Sequence, residues 1–562
     1  MKNVVFLYAG FVQTHAFDML FPKDFTAAPV EGAAGREKSA FALSLDWAAR
    51  LKDRVKIVVA VSRQTEDKAR REILKAGLED ECDVIVEQRW STMLLLKRMA
   101  EAVSQNGAAC AVYSAADRPF LDCRLTDLIL ADHEHYLSEY TFADGYPAGL
   151  SPEVVAAGSL NIMLALAAKK PSFASDRVGR ESLFNVLRED INSFEIETVI
   201  APKDFRMLRL DFSCSSRAQT IACVQLFRLA VQRGTGFDAL SLAECAASSP
   251  EVQRTVPAFY NVQIAQNLST LTVYNPYPAA FSQKYGCSPV KKENPEPVNM
   301  SLASFTDLVE GIAGLSETAV VGLSGFSEPL THPDFLQFVR VALAKPGISL
   351  LIETDGTLLT APLAQQAAEI VKDSPERTGN WPAVMWIVAI DAVTDEMYGK
   401  MHTNAFTNGN GIRCFESAKA ALVTLEHYFP GDVYPQFVRM KDNEEELERF
   451  YRFYHDPEAG TEGKLIIQKY DAFCGLLPDL KSADLAPLER NPCWHCKRDM
   501  LILPDGSVPP CREYVLDASC GNVFSEGVEA VWKKMGNLAA DHIQRRYPDK
   551  CGTCDEYYTF NF

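Results

Sequence analysis

Along the first part of the chain, short apolar runs alternate with stretches of helical periodicity. Residues 4–8 and 55–61 are continuous apolar runs, and strand-like runs follow at 83–87 and 108–114. Apolar residues recur at helical spacing over 40–51, 66–76 and 93–104. This alternation predicts an α/β fold. Ala111-Val-Tyr-Ser-Ala-Ala-Asp117-Arg-Pro-Phe120 puts an aspartate at the end of a buried strand, and ligands of open parallel sheets bind at such strand ends. Between 237 and 256 the pattern breaks around Ser-Ser-Pro250 and reads as a join. A second series then begins, with strand-like runs at 261–264, 318–323, 348–353, 384–390 and 434–440. Helical stretches lie at 304–315, 333–344, 358–371 and 413–428, and repeated strand-then-helix units predict a partial or complete parallel barrel.

Composition adds bounds to this picture. At 562 residues the chain exceeds one core, and the pattern divides it into 1–235, a linker at 236–257, a barrel at 258–485 and a cysteine-rich tail at 486–562. No stretch approaches eighteen apolar residues, and the apolar run at the N-terminus is too short for a signal peptide. A cytoplasmic protein without a membrane segment is expected. Fifteen cysteines without an export signal argue for reduced thiols rather than a disulfide framework. A formal charge of −18 argues against a nucleic-acid partner.

The tail concentrates the chemistry. Cys493 and Cys496 form one Cys-x-x-Cys pair, Cys551 and Cys554 a second, and Cys511 and Cys520 stand singly between them. A pair two residues apart lets both thiolates converge on one metal, while a distant pair closes the shell. Thiolates alone suit either an iron–sulfur cluster or tetrahedral zinc. The run from Cys496 through Gly506 to Cys511, the segments Gly521-Asn522-Val523 and Val528-Glu529-Ala530-Val531-Trp532, and the closing Cys551-x-x-Cys554 resemble the SPASM extension of radical SAM enzymes. That resemblance implies one auxiliary [4Fe–4S] cluster held by Cys496, Cys511, Cys551 and Cys554, with Cys493 as the substitute ligand. Cys520 falls at a usually apolar position and is expected in the core.

The first domain resembles the nucleotidyltransferase fold of sugar-nucleotide and isoprenoid cytidylyltransferases. Asp117 and Asp211, the latter in Met207-Leu-Arg-Leu-Asp211, match that family's Mg²⁺-binding positions, and Asp144-Gly145-Tyr146-Pro147 lies where it keeps substrate-facing residues. The family's Gly-rich loop is replaced by Ala9-Gly10-Phe11-Val12-Gln13-Thr14-His15, and only Arg36 and Lys38 follow to supply charge. Weak or absent nucleotide binding is therefore expected.

Three segments of the second domain resemble successive strand ends of the radical SAM barrel. Gly325-Phe-Ser-Glu328-Pro329 looks like the motif that receives the amino group of S-adenosylmethionine, Thr354-Asp355-Gly356 like the following turn, and Ile390-Asp391-Ala392 like a later strand end. Gly325, Glu328, Pro329 and Asp391 are thus the candidate residues of an S-adenosylmethionine-like pocket. The three cysteines that hold the radical cluster in that family correspond here to Leu268, Thr272 and Asn275, and Cys287 has no partner at the required spacing. The combination resembles the spirochaete-type radical SAM/SPASM family with a degenerate cysteine motif. It implies an iron–sulfur protein with a binding or scaffold role toward a protein or peptide partner. The alternatives are an active peptide- or protein-modifying radical SAM enzyme with unusual cluster ligation, and a Mg²⁺-dependent nucleotidyltransferase with appended modules.

Overall fold

The computed structural model describes residues 1–11, 15–18, 38–276, 299–379, 381–403, 414–456, 461, 463–514 and 519–559. The chain divides into two compact units, Met1–Thr255 and Val256–Phe562. Val12, Gln13, Thr14, Arg36 and Cys287, singled out above, lie outside the described residues.

The first unit is built on strands β1 (Asn3–Ala9), β2 (Arg54–Ser62), β3 (Cys82–Glu87), β4 (Cys110–Ala115), β5 (Tyr140–Asp144), β6 (Glu153–Ala156) and β7 (Ile196–Ile200). They form one sheet in the order β3-β2-β1-β4-β6-β5-β7. β6 runs antiparallel to both its neighbours and the other pairings are parallel. Every residue of β1 and β4 is buried, as central strands covered on both faces require. Val5, Leu7 and Ala9 enter one core while Val4, Phe6 and Tyr8 enter another on the opposite face. Covering helices start at side-chain caps, with Ser39, Ser91 and Asp122 accepting from the amides of Ala42, Leu94 and Arg124.

The linker expected at 236–257 is instead part of this unit up to Thr255. Helices Ala239–Ala247 and Pro250–Gln253 occupy it, the first capped by Asp238 and tied through the Ala239 amide to Asp122 at 2.8 Å. Leu242, Cys245, Ala246 and Val252 are buried in the same core as Val5. Small residues hid a packed face in two short helices.

The second unit carries β8 (Phe259–Val262), β9 (Leu271–Thr272), β10 (Ala319–Leu323), β11 (Ile348–Thr354), β12 (Val384–Ala389), β13 (His402–Thr403), β14 (Val433–Arg439), β15 (Ile466–Lys469), β16 (Asp499–Ile502), β17 (Ser507–Val508) and β18 (Gly521–Asn522). Seven of these form an all-parallel sheet in the order β15-β14-β12-β11-β10-β8-β16. Helices such as Leu302–Ser316 and Phe335–Leu343 pack their apolar faces on it around Trp386, Phe305 and Phe338.

The tail is not a separate body. β16 continues the barrel sheet beside β8, and Met500 and Ile502 are buried in the barrel core with Val262. Helix Val528–Lys534 adds Val528, Val531 and Trp532 to that core. A Cβ on Gly311 would stand 3.2 Å from Val528, so the helices approach closely there. The boundary expected at 486 therefore crosses a continuous core. Among the described residues, no helix is long and apolar enough to cross a membrane.

Candidate metal centre and barrel mouth

Three turns bring the tail cysteines together. Cys493 precedes helix Trp494–Arg498, which carries Cys496, and the Cys493 amide donates to His542 Nδ1 at 3.2 Å. Cys511 follows the β16–β17 turn, where Gly506 adopts φ +80° and a Cβ would stand 2.4 Å from the Phe524 ring. Cys551 and Cys554 flank the end of helix Asp549–Thr553. The guanidinium of Arg490 holds that turn by donating to the carbonyls of Cys551, Gly552 and Cys554, and it stacks on Tyr547 and Tyr557.

Cys493, Cys496, Cys511, Cys551 and Cys554 all line one cavity, with Tyr514, Glu513 and Arg512 beside them. The Cys496 thiol lowers the pKa of Cys493 by hydrogen bonding to it, against the effect of burial. Burial raises Cys511 and Cys551, so in the absence of a cation most of these sulfurs hold their protons. Five sulfurs lining one pocket fit a thiolate-bound iron–sulfur group. Cys520 lies outside the cavity and packs against the barrel core.

The sequence did not single out Cys474. Its thiol donates to Glu513 Oε2 at 3.6 Å and to the Lys550 carbonyl at 3.5 Å, and it also bonds Cys554, raising the pKa of that thiol. Phe473 and Cys474 both have positive φ, a conformation that turns this thiol toward the tail. The available signal was a cysteine followed by Gly475 in a short apolar segment.

A second cavity opens at the carboxyl ends of the barrel strands. Leu268, Thr272 and Asn275 line it together with Gly325, Glu328 and Asp355. Gly325 has φ +69°, and its amide donates to Asn261 Oδ1 at 2.7 Å. Glu328 is buried and accepts from the amides of Leu330 and Asp355 and from the Thr354 hydroxyl. Burial, reinforced by the Asp355 charge, pushes its carboxyl up to about 8. Pro329 and Asp391 are buried beside the cavity and do not line it.

The strand-end acids fasten the segment that runs from Leu268 to Asn275. Asp355 accepts from Ser269 and Thr270 hydroxyls at 2.5 and 2.7 Å, and Asp391 accepts from the Tyr274 hydroxyl at 2.7 Å. Asp391 also accepts from the Val438 amide at 2.7 Å and pairs with His402 Nε2 at 3.0 Å. The Asn275 amide nitrogen donates to the Phe326 carbonyl, β9 pairs with β13, and Leu268 packs in an apolar cluster with Phe326, Phe473 and Leu501.

In the first unit Asp117 and Asp211 do come together, but around a side chain the sequence gave no reason to choose. Arg180 Nη2 lies 3.1 Å from Asp117 and its Nε 2.9 Å from Asp211. Asp144 faces elsewhere and pairs with Arg206 at 3.1 Å. At the loop opening, Gly10 is required by packing, since a Cβ would meet the Trp90 ring at 2.4 Å, and Tyr8 and Phe11 stack edge-on beside it.

Comparison with known proteins agrees with the tail geometry. Residues 493–555 match SPASM, described as an iron–sulfur cluster-binding domain. A Treponema pallidum protein, itself uncharacterized, is 36% identical over 384 residues, which span 68% of this chain and 98% of the relative. Among solved structures, anSMEcpe with bound AdoMet is 14% identical with a TM-score of 0.37 over 54% of this chain and 84% of its own. A cytidylyltransferase from Leptospira borgpetersenii is 15% identical with a TM-score of 0.33 over 45% of this chain and 96% of its own. Residues 493–555 are thus an iron–sulfur cluster-binding domain of the SPASM type, in a chain that divides into two units. The chain belongs to the same family as the Treponema pallidum protein.

Proposed function

We propose that this is an iron–sulfur protein that carries one [4Fe–4S] cluster in its tail, does not cleave S-adenosylmethionine, and serves as a binding or scaffold protein for a protein or peptide partner in the cytoplasm. The observation that carries the reading is the barrel mouth. Leu268, Thr272 and Asn275 line it, and Asp355 and Asp391 bolt their segment in place through Ser269, Thr270 and Tyr274. A radical cluster needs three thiolates and an iron with an open position, and these side chains supply neither.

The tail supplies the cluster site. Four of the five cavity thiolates suffice for a cubane, and the Arg490 clamp and the His542 contact preset two of the three turns. When bound, the cluster supplies one-electron chemistry or a structural cross-link. The protein's own part is to present the sulfurs, keep water out of the pocket and tie the tail to the barrel sheet through β16. Nucleotidyl transfer is disfavoured because the Arg180 guanidinium already pairs with both aspartates that would hold Mg²⁺.

Anaerobically purified protein should contain about four irons with matching sulfide and a cluster signal in electron paramagnetic resonance. Under strong reduction with S-adenosylmethionine it should release no 5′-deoxyadenosine above background. Zinc in place of iron and sulfide would defeat the cluster assignment. Deoxyadenosine that disappears in Cys496→Ala would defeat the assignment of an inactive barrel.

A further inference from the structure

Helix Gly536–Ile543 carries Ala539 and His542 on its buried face, and His542 lines the same cavity as the five cysteines. Its Nδ1 accepts from the Cys493 amide at 3.2 Å. A backbone amide nitrogen only donates, so Nδ1 must hold a lone pair, and the neutral ring carries its one proton on Nε2. The Cys493 contact thus fixes the tautomer. It also bars the ring from ligating a metal, because one nitrogen is committed to the amide and the other has no lone pair while it is protonated.

The second nitrogen is left over. His542 is only 1% exposed, and its Nε2 has no hydrogen-bond partner. A buried N–H without an acceptor is costly, and folds rarely keep one that nothing will satisfy. The Tyr547 ring meets the imidazole at right angles with centroids 5.0 Å apart, but the Arg490 guanidinium already lies 4.7 Å from that ring's centre, and an aromatic face is a weak acceptor. The other histidine of the cavity differs, since His495 bonds Asp499 through Nδ1 at 2.6 Å and Thr559 through Nε2 at 3.4 Å. Sulfurs bound to iron carry negative charge and accept N–H donors, and each such bond favours the reduced, more negative state. We propose that His542 donates from Nε2 to a sulfur of the bound cluster and thereby raises its reduction potential, an assignment that rests on the cluster reading above.

The test uses anaerobically purified full-length protein and three substitutions that separate the two nitrogens. Asn can place its oxygen near Nδ1 and keep the Cys493 contact, Gln can place its nitrogen near Nε2 and keep the donor, and Phe removes both. In a potentiometric titration followed by electron paramagnetic resonance, His542→Asn and His542→Phe should shift the cluster about tenfold toward the oxidised form at a fixed potential, a fall of about 59 mV for one electron. His542→Gln should stay close to wild type. With histidine labelled by ¹⁵N, the reduced wild-type cluster should show a weak nitrogen coupling in pulsed spectra that vanishes in His542→Asn, while iron and sulfide content stay the same. If His542→Phe fails to fold, the Asn and Gln variants and the wild-type coupling decide the matter. An unchanged potential in His542→Asn, a fall in His542→Gln alone, or the absence of a histidine coupling would overturn the proposal and leave the cluster reading standing. Wild type without iron and sulfide would overturn the cluster reading, and this donor with it.

Discussion

At the residue scale, Arg180 does between Asp117 and Asp211 what a divalent cation does in an enzyme that binds metal there. Asp117 is fully buried, and burial alone would raise its pKa, while Arg180 and Arg118 pull it back toward the charged form. Removing Arg180 leaves that carboxylate without its nearest counter-charge, at a cost of roughly 3–5 kcal/mol. Arg180→Ala should therefore destabilise the first unit by about that amount in urea unfolding, and Asp117→Asn in the same background should recover much of it, because a neutral amide needs no cation. A loss below about 1 kcal/mol would mean that Asp117 is protonated in the fold and that Arg180 is incidental. Asp117 was legible because it follows the buried run of β4, and Asp211 only through the resemblance of its segment to the nucleotidyltransferases, since it lies in an isolated bridge to Ala148 and not in a strand. Arg180 was not, because it reaches them from an irregular segment whose position no periodicity encodes. Cys474 escaped for a related reason, since a lone cysteine acquires chemistry only when Phe473 and Cys474 adopt positive φ and turn it toward Glu513 and Cys554. The five cavity cysteines were legible because tight pairs and the glycine turn at Gly506 are local.

At the element scale, the informative strand is β16. The second-domain strands β8, β10, β11, β12 and β14 could be read from their continuous apolar runs, although the first was read slightly late. β15, with Gln468 and Lys469 in a four-residue strand, and β16, with its acidic first residue, carry too short a signal. They are fixed by pairing in the sheet, a tertiary effect. The consequence for β16 is testable. Met500 and Ile502 close the barrel core, so a fragment ending at residue 485 would leave β8 as a bare edge and expose that core to water. Residues 256–485 expressed alone should aggregate, whereas 256–562 should be monodisperse by size exclusion and light scattering. A well-folded, monomeric 256–485 fragment would show that the tail is an appendage after all. Likewise the join expected at 236–257 failed as a reading because Ala-rich helices of one or two turns give little periodicity, yet their small faces pack against Val5 and its neighbours.

At the scale of the whole molecule, each unit completes its own core. The clusters on the two faces of the first sheet contain no residue beyond Val252, and those of the second unit begin at Phe259. Cores closed within each unit make each a cooperative folding entity, so the chain should unfold in two transitions rather than one. A group that binds only the folded state stabilises only the unit that holds it. In the reading proposed above the tail group belongs to the second unit, and the shared sheet spreads its effect from the tail cysteines to the barrel strands. Stripping the cluster by oxidation and chelation should therefore lower the second unit's melting transition and leave the first where it was, in calorimetry of the full chain. The isolated 1–255 fragment should melt within about 3 °C of the transition assigned to it, a margin set by roughly 1 kcal/mol for units of this size. Cys551→Ser should act in the same direction as chelation, because it removes one of the sulfurs that line the tail cavity. Equal shifts of both transitions on stripping would mean that the units fold as one, and no shift in either would mean that the tail cavity holds nothing that the fold depends on.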